Sequence, residues 1–273
     1  MRAASLRISR VASHLRQNCT STSSTNWSIL EIELGDTPLA WKQAGFIVSA
    51  SNLVELSNCN VRLKATGSGL SRITFGHRNP SSLQRLDFNL PGIKAGVAAA
   101  ASPTTTFKHH HPNSCTAFGE IVLYTQNLQQ FVDEMTLTGI NTHKNKPPKP
   151  MKQKDKNNHP EHACAVYYFG SDPDIIRMLV FGPINPTHDP GTNPTSMWML
   201  GQGKNAETEV TGYLPLVTNM KSLEEHCLHV GPSKKAVQEN RTIATLSAGQ
   251  IHGLTGTFAL LSNHASVRGS ALF

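Results

Sequence analysis

A run of three histidines at positions 109–111 is the first group in the sequence whose residue types could bind a metal ion. Neutral imidazole is a common metal ligand, and short histidine-rich tracts are often metal-binding. Consecutive side chains point in different directions, however, so three neighbouring histidines cannot all face one ion. Pro112 and Asn113 follow directly, and a surface loop is therefore the stronger interpretation of this run.

The familiar signatures of hydrolases, zinc peptidases and nucleotide-binding enzymes do not occur in the sequence. It contains no Gly-x-Ser-x-Gly elbow and no His-Glu-x-x-His pair. The glycine-rich stretches at 67–71 and 201–205 match neither a phosphate loop nor a dinucleotide fingerprint, and their composition predicts turns. Function therefore has to be inferred from the elements that position the polar residues.

The cysteines are odd in number and far apart: Cys19, Cys59, Cys115, Cys164 and Cys227. Because no Cys-x-x-Cys pair exists, neither a structural zinc site nor a disulfide framework is expected, and reduced intracellular thiols are predicted. Cys227 lies between His226 and His229, but residues at this spacing do not face each other well on a helix. A buried thiol is thus favoured over an activated nucleophile.

The net charge of +7 favours anionic partners, and two segments supply much of it. Residues 1–26 contain four arginines and no acidic residue, a composition typical of a mitochondrial transit peptide. A disordered tail on a cytoplasmic protein is the alternative. Residues 141–158 contain six lysines and three prolines, which predicts an exposed loop able to contact phosphates.

Two classes of partner are disfavoured by composition. The lysine-rich loop has no interleaved aromatic residue to stack on bases, which argues against nucleic-acid binding. No apolar run approaches the ~20 residues needed to span a bilayer, so no membrane partner is expected. A small-molecule ligand is the partner that we expect, and a homodimer is an option that the sequence leaves open.

The segment 118–140, with the sequence FGEIVLYTQNLQQFVDEMTLTGI, organises the rest of the chain. Its first eight residues are rich in β-formers and predict a strand. Asn127 is a good cap for a helix, and an apolar stripe at helical spacing follows it. Gly139 then predicts the end of the helix, because the next residue must adopt a left-handed conformation.

The same order of elements recurs along the chain: a strand, a short helix, then two or three strands. The predicted units span residues 27–100, 115–185 and 195–265. The alanine-rich segment 92–103, at the end of the first unit, predicts a linker or a loose helix. We therefore predict an α+β fold in which repeated βαβββ units form cup-shaped mixed sheets. Such sheets can enclose a pocket that one unit could not form alone.

The segments FGEIVLYTQNLQQF and GYLPLVTNMKSLEEH resemble the opening strand and helix of the vicinal oxygen chelate superfamily. WKQAGF at 41–46 is similar to the end of that family's first helix, and SDPDIIRMLVF at 171–181 to the turn before its last strand. The family includes glyoxalase I, extradiol dioxygenases and bleomycin-resistance proteins. The resemblance implies a glyoxalase-like protein that binds or transforms a small organic ligand in a sheet-lined pocket.

The resemblance also implies a divalent metal such as Zn, Fe, Mn or Ni. In that family each unit offers a ligand on its first strand and another on its last. Here these positions fall on Glu120, Leu179, Gly212 and Ala259, of which only Glu120 can bind an ion. One carboxylate does not make a metal site. Further ligands would have to come from histidines, with His77 and His111 as the leading candidates and His143 and His188 as others.

If the protein is an enzyme, the resemblance implies a metal-dependent lyase or dioxygenase in which Glu120 is a metal ligand or the catalytic base. The missing ligand positions favour two alternatives: a metal-free module that sequesters a ligand, or a catalytically inactive relative. The basic segments keep a third hypothesis open, a mitochondrial interaction protein or nucleic-acid-binding protein.

Overall fold

The chain was analysed as a computed structural model that describes residues 26–66, 69–100, 110–150, 162–171, 175–183, 208–227, 230–231, 234–235, 242–246, 251–254 and 257–262. Within these ranges the chain forms two mixed β-sheets and three α-helices, so the predicted α+β class is confirmed. Residues 1–25 of the predicted transit segment, residues 151–158 of the lysine-rich loop and His188 lie outside the described residues. None of the described helices is long and apolar enough to cross a membrane.

The described helices are α1 (Pro38–Gln43), α2 (Leu128–Leu137) and α3 (Met220–His226). Each one begins after a capping side chain, supplied by Thr37, Asn127 and Asn219 in turn. The predicted cap of α2 is confirmed, since the side-chain oxygen of Asn127 accepts a 3.1 Å hydrogen bond from the Gln130 amide. Gly139 follows α2 with φ +90°, the left-handed conformation expected there.

The strands form a six-stranded and an eight-stranded sheet. In spatial order the six-stranded sheet contains β2 (Leu53–Glu55), β3 (Asn60–Leu63), β1 (Trp27–Leu34), β4 (Leu70–His77), β6 (Ile93–Ala99) and β5 (Asp87–Leu90). The eight-stranded sheet contains β12 (Lys234–Lys235), β13 (Thr242–Leu246), β14 (Thr257–Ser262), β11 (Thr208–Val217), β7 (Cys115–Thr125), β10 (Ile176–Pro183), β9 (His162–Phe169) and β8 (Lys149–Pro150).

Each sheet is built from two halves that meet at a central antiparallel pair. In the eight-stranded sheet this pair is β7 and β11, and the last strand of each half lies parallel to the first: β10 beside β7, and β14 beside β11. The six-stranded sheet repeats the plan in a shorter form, with β1 and β4 at its centre, β3 parallel to β1, and β6 parallel to β4. The predicted repeat of βαβββ units is confirmed, while the domain boundaries drawn from the sequence stay a prediction.

One predicted element is wrong. Segment 92–103 was expected to be a linker or a loose helix, but Ile93–Ala99 forms strand β6 between β4 and β5. Ile93 and Ala95 alternate with Lys94 and are 2% and 3% exposed. Half-burial between two neighbouring strands outweighs the low strand propensity of alanine at these positions.

The hydrophobic core joins both sheets and the helices in one continuous cluster. It includes Trp41 of α1, Phe131 of α2 and Leu223 of α3, each essentially inaccessible to solvent. The two sheets also meet directly, where the rings of Phe75 and Phe169 lie 5.3 Å apart. Since successive residues of a strand point to opposite faces, each sheet has a second face that does not contribute to this core.

Candidate functional site

The second face of the eight-stranded sheet carries the residue that the resemblance selects. On β7 the side chains of Ile121 and Leu123 belong to the core, so Glu120, Val122 and Tyr124 lie on the opposite face. We call this the second face and define it by nine side chains of three adjacent strands: Glu120, Val122, Tyr124, Cys164, Val166, Tyr168, Arg177, Leu179 and Phe181.

Strand register arranges these side chains in three rows. Arg177 of β10 lies beside Glu120 of β7 and beside Tyr168 of β9. The next rows are apolar or aromatic: Val122, Leu179 and Val166, then Tyr124, Phe181 and Cys164. Seven of the nine residues are buried, although none belongs to the main core.

The only charged side chains of the second face are paired with each other. Nε of the Arg177 guanidinium donates to Oε2 of Glu120, and Nη2 lies within ion-pair distance of the same oxygen. The two side chains are 4% and 6% exposed, respectively. Charge-assisted hydrogen bonds of this kind are stronger than neutral ones, and burial weakens the screening by water. The pair is therefore a fixed, overall neutral group that offers hydrogen-bond donors and an acceptor.

The thiol of Cys164 on this face is a weak nucleophile. Burial raises the pKa of the Cys164 thiol to about 12. It remains protonated at neutral pH, and a protonated thiol is a poor nucleophile and metal ligand. The ring of Tyr168 lies 4.6 Å from that of His143, which brings one of the further histidine candidates to the edge of the second face.

The four positions implied for metal ligands fall on four neighbouring strands of the sheet. Glu120 is on β7, and Leu179 is on β10 beside Val122. Gly212 of β11 lies beside Val122 from the other side, and Ala259 follows on β14. The register is thus consistent with the resemblance, but only Glu120 among the four has an atom that binds metals.

His111 lies elsewhere and uses both of its ring nitrogens. Nδ1 accepts a 2.9 Å hydrogen bond from the Ile47 amide, and Nε2 donates to the Glu55 carbonyl at 2.9 Å. The ring packs edge-on against Phe46 at 5.2 Å and is 3% exposed. In this arrangement His111 is a neutral side chain that ties the start of β7 to the six-stranded sheet.

His77 lies at the end of β4, in the six-stranded sheet. Its Nδ1 accepts a 3.2 Å hydrogen bond from the Asn79 amide, and its ring lies 4.5 Å from that of Trp27. Glu120, His77 and His111 thus occupy three separate environments. Across the described part of the chain, no group of three or more His, Cys, Asp or Glu residues could hold a metal ion.

The described residues do not fit the implied metal. A divalent cation at the Glu120 carboxylate would lie next to the guanidinium of Arg177, and like charges at such short range repel strongly in buried surroundings. Of the histidines named as further ligands, His77 and His111 are held by other hydrogen bonds.

Sequence reasoning missed Arg177. Its position was set by strand pairing across 57 residues, which no local pattern reveals. One signal was present: Arg177 interrupts an otherwise apolar run of the strand, Ile175 to Phe181. A charged residue inside such a strand needs a partner, and Glu120 interrupts strand β7 in the same way.

The chain is similar to known proteins in its structure. No protein-family model matches the sequence, and no curated protein is significantly similar to it. Among solved structures, a mutant of 4-hydroxymandelate synthase from Streptomyces coelicolor matches with a TM-score of 0.53, over 86% of this chain and 92% of that one. That enzyme is a member of the vicinal oxygen chelate superfamily. The fold is that of the vicinal oxygen chelate superfamily.

Other solved structures with this fold are similar to the chain in part. A fusion protein of a xylose isomerase-like TIM barrel and 4-hydroxyphenylpyruvate dioxygenase matches 97% of this chain with a TM-score of 0.53 and 8% identity. This chain spans 54% of its length. Methylmalonyl-CoA epimerase from Streptomyces coelicolor matches 56% of this chain and all of its own, with a TM-score of 0.37 and 14% identity. The mandelate synthase shares 10% identity, so the vicinal oxygen chelate likeness shows the fold alone.

Proposed function

We propose that the protein binds a small, uncharged organic molecule on the second face of the eight-stranded sheet, with Glu120 and Arg177 as the polar anchors. The observation that carries this proposal is the buried ion pair among apolar side chains, on a face that lies outside the core. Binding sites commonly combine an apolar lining with a few converging polar groups.

The cost of the pair supports a role in recognition. Removing a carboxylate and a guanidinium from water costs several kcal/mol, and well-packed apolar residues often give equal or higher stability. Stabilisation of the fold alone therefore does not explain why a buried ion pair lies at this place. Perturbed or buried charges on a lined face are more common at functional sites.

The charge of the pair limits the class of ligand. Glu120 and Arg177 sum to zero, so a charged ligand would bring an uncompensated charge into buried surroundings. An uncharged group with an adjacent donor and acceptor, such as an amide, can bond to the carboxylate and the guanidinium together. The rings of Tyr124 and Phe181 would contact the apolar part of the ligand.

Catalysis of the lyase or dioxygenase type stays a prediction from the resemblance, with Glu120 as its residue. The carboxylate of Glu120 is engaged by the guanidinium of Arg177, which argues against a role as the catalytic base. Binding without turnover is thus the better supported of the two readings. The described residues add nothing in favour of nucleic-acid binding.

Three isosteric probes test the proposed ligand class. Benzamide, benzoate and benzamidine have similar shapes but are neutral, negative and positive at neutral pH. We expect ligand-observed NMR with the full chain to show binding of benzamide and weaker binding of both charged analogues. Tighter binding of benzoate or benzamidine would contradict the charge argument.

Two matched variants locate the binding. Glu120→Gln removes the buried carboxylate, and Glu31→Gln removes a carboxylate that is also bonded to an arginine, Arg62, but on the six-stranded sheet. Loss of a hydrogen bond to a charged group should weaken benzamide binding by roughly tenfold in the first variant and leave it unchanged in the second. If Glu120→Gln unfolds, the variant Glu120→Leu with Arg177→Leu replaces it, because an apolar pair is tolerated in buried sites.

A further inference from the structure

We infer that the guanidinium of Arg177 takes the place of a divalent cation beside Glu120. The Glu120 carboxylate is then neutralised by a side chain of the same protein, and no metal binds there. The inference deepens the proposed function, because it states what supplies positive charge on the second face. It starts from one observation: the resemblance implies several metal ligands, but the described residues supply only the carboxylate of Glu120 at the implied positions.

Arg177 lies on the strand where the resemblance places the second ligand of the unit. Glu120 lies on the first strand of its unit, and Arg177 lies on the last, the strand that runs parallel to it. The resemblance assigns one ligand to each of these two strands. In this chain the first strand keeps a carboxylate, while the last strand presents a permanently charged cation two residues before Leu179.

The geometry carries the second step. Two nitrogen atoms of the guanidinium contact the same oxygen of the Glu120 carboxylate, so the positive charge of Arg177 already lies against that group. Both side chains are almost inaccessible to solvent, so water does not screen the repulsion between the guanidinium and an incoming dication. An ion could bind Glu120 only by displacing Arg177 and leaving its charge buried without a partner.

The six-stranded sheet carries the third step, since it contains the same device. Glu31 lies on the first strand, β1, and Arg62 on β3, which runs parallel to it. The guanidinium holds the carboxylate through two hydrogen bonds of 2.8 and 2.9 Å. This pair also lies outside the core cluster. An arginine on the parallel last strand thus neutralises the first-strand carboxylate in both sheets, and the pair is half-buried in one sheet and buried in the other.

Metal retention tests the inference directly. The full chain, without a histidine tag, is incubated in turn with Zn²⁺, Mn²⁺, Ni²⁺ and Fe²⁺, freed of loose metal by gel filtration, and analysed by mass spectrometry for metal per chain. The comparison is with Glu120→Leu and Arg177→Leu in one chain. We expect both proteins to retain the same amount, because metal held by other residues, such as the histidines at 109–111, is common to both.

One result overturns the inference: about one equivalent of any of these metals in the wild-type protein that is absent from the double variant. A melting temperature that falls on chelation in the wild-type protein but not in the double variant would overturn it as well. The metal content and the melting temperature are both measured without ligand and without an activity assay, so neither depends on catalytic turnover.

A double-mutant cycle supplies the second test. Glu120→Gln and Arg177→Met are each expected to lower the melting temperature, and the combination is expected to lower it by less than the sum. Single variants that fail to fold beside a folded double variant show the same coupling. If the melting temperature of the double variant falls by the sum of the two single falls, Arg177 is not the partner of Glu120.

The outcomes also separate this inference from the proposed function. Equal metal retention without any benzamide binding would remove the proposed function and leave the inference in place. Metal bound through Glu120 together with benzamide binding on the second face would do the reverse.

Discussion

Arg177 shows how the type of a single side chain decides what a buried position can do. Its planar guanidinium reaches Glu120 with two nitrogen atoms, whereas a lysine ammonium is a single point charge. We therefore expect Arg177→Lys to lower the free energy of unfolding by about 1–3 kcal/mol, in line with the loss of a hydrogen bond to a buried charge.

Arg62→Lys is the matched control, measured by urea denaturation beside the first variant. Arg62 is 32% exposed and its partner Glu31 is 20% exposed. Because water reaches this pair, it should contribute much less than the buried one, about 0–1 kcal/mol as for ion pairs at a protein surface, and the change should be nearly neutral. Equal losses in the two variants would mean that burial does not set the strength of the Glu120/Arg177 pair.

His111 illustrates a metal candidate that the structure uses for another purpose. A His111→Phe variant keeps the ring against Phe46 but removes the two hydrogen bonds that the ring nitrogens make to the Ile47 amide and the Glu55 carbonyl. Each lost hydrogen bond costs about 0.5–1.5 kcal/mol, so we expect the free energy of unfolding to fall by about 1–3 kcal/mol.

The neighbouring histidine provides the control for this variant. His110 is exposed, whereas His111 is buried. His110→Phe should therefore change stability within about 0.5 kcal/mol, as is usual for surface substitutions. A comparable loss in both variants, measured by the same denaturation curves, would contradict the assigned hydrogen bonds of His111.

At the residue scale the sequence predicted Glu120 but not its partner. Glu120 could be singled out because a carboxylate in an apolar strand is conspicuous and the resemblance gave its position. Arg177 could not be assigned to it, since the register of two strands separated by 57 residues depends on the whole sheet. The roles of His77 and His111 depend on neighbours distant in sequence for the same reason.

At the scale of elements, the junction between α1 and β7 depends on one glycine. Gly45 has φ +81°, and a Cβ atom there would lie 2.7 Å from Asn113 Cβ and from the carbonyl oxygen of His226. Asn113 in turn donates to the Ala44 carbonyl at 2.7 Å, so the end of α1, the end of α3 and the start of β7 meet at this point. No larger residue fits without moving one of them.

Gly45→Ala and Gly69→Ala together separate crowding from backbone strain. Gly69 also has a positive φ, +88°, but its Cβ would meet nothing within 4 Å. In both variants an alanine must adopt a left-handed backbone conformation, which lowers the free energy of unfolding by about 1–2 kcal/mol. Gly45→Ala should lose about 1–3 kcal/mol more, because the added methyl group overpacks the junction. Equal losses in denaturation experiments would show that the junction can relax.

Locally coded elements were predicted better than those set by tertiary contacts. The strand predicted over 118–125 lies within β7, and Asn127 caps α2 as expected, because strand propensity and capping depend on adjacent residues. Strand β6 was missed, since its alanines acquire strand structure only through pairing with β4 and β5.

At the scale of the whole molecule, buried thiols couple stability to alkaline pH. Burial raises the pKa of Cys164 and Cys227 to about 12, and it also raises the pKa of Cys59 and Cys115. In the unfolded chain these thiols ionise near pH 8.5. Between these limits the folded state binds more protons, so stability is fully present below about pH 8.5 and is lost as the pH rises.

We therefore expect the free energy of unfolding to fall between about pH 8 and about pH 10.5 under reducing conditions. The measurement is a series of urea denaturation curves across that range. A Cys164→Ala variant should show a shallower fall, since one of the buried thiols is gone. A constant free energy across the range would contradict the assigned burial of the thiols.

The arrangement of repeats links the molecule to its proposed function. The mixed sheets predicted from the recurring strand–helix–strand pattern are present, and the likeness to 4-hydroxymandelate synthase supports the same fold over most of both chains. The sequence could predict this plan because each unit repeats it. It could not predict which of the two sheets carries the buried pair, since burial depends on the packing around each face.

The central claim is that a ligand contacts the second face of the eight-stranded sheet, and methyl NMR tests it most directly. Valine and leucine methyl groups are labelled in the full chain, and benzamide is added. We predict shifts at Val122 and Leu179, beside the Glu120/Arg177 pair, and none at Val61 and Leu63 of the six-stranded sheet. Shifts confined to the six-stranded sheet, with Val122 and Leu179 unchanged, would contradict the account.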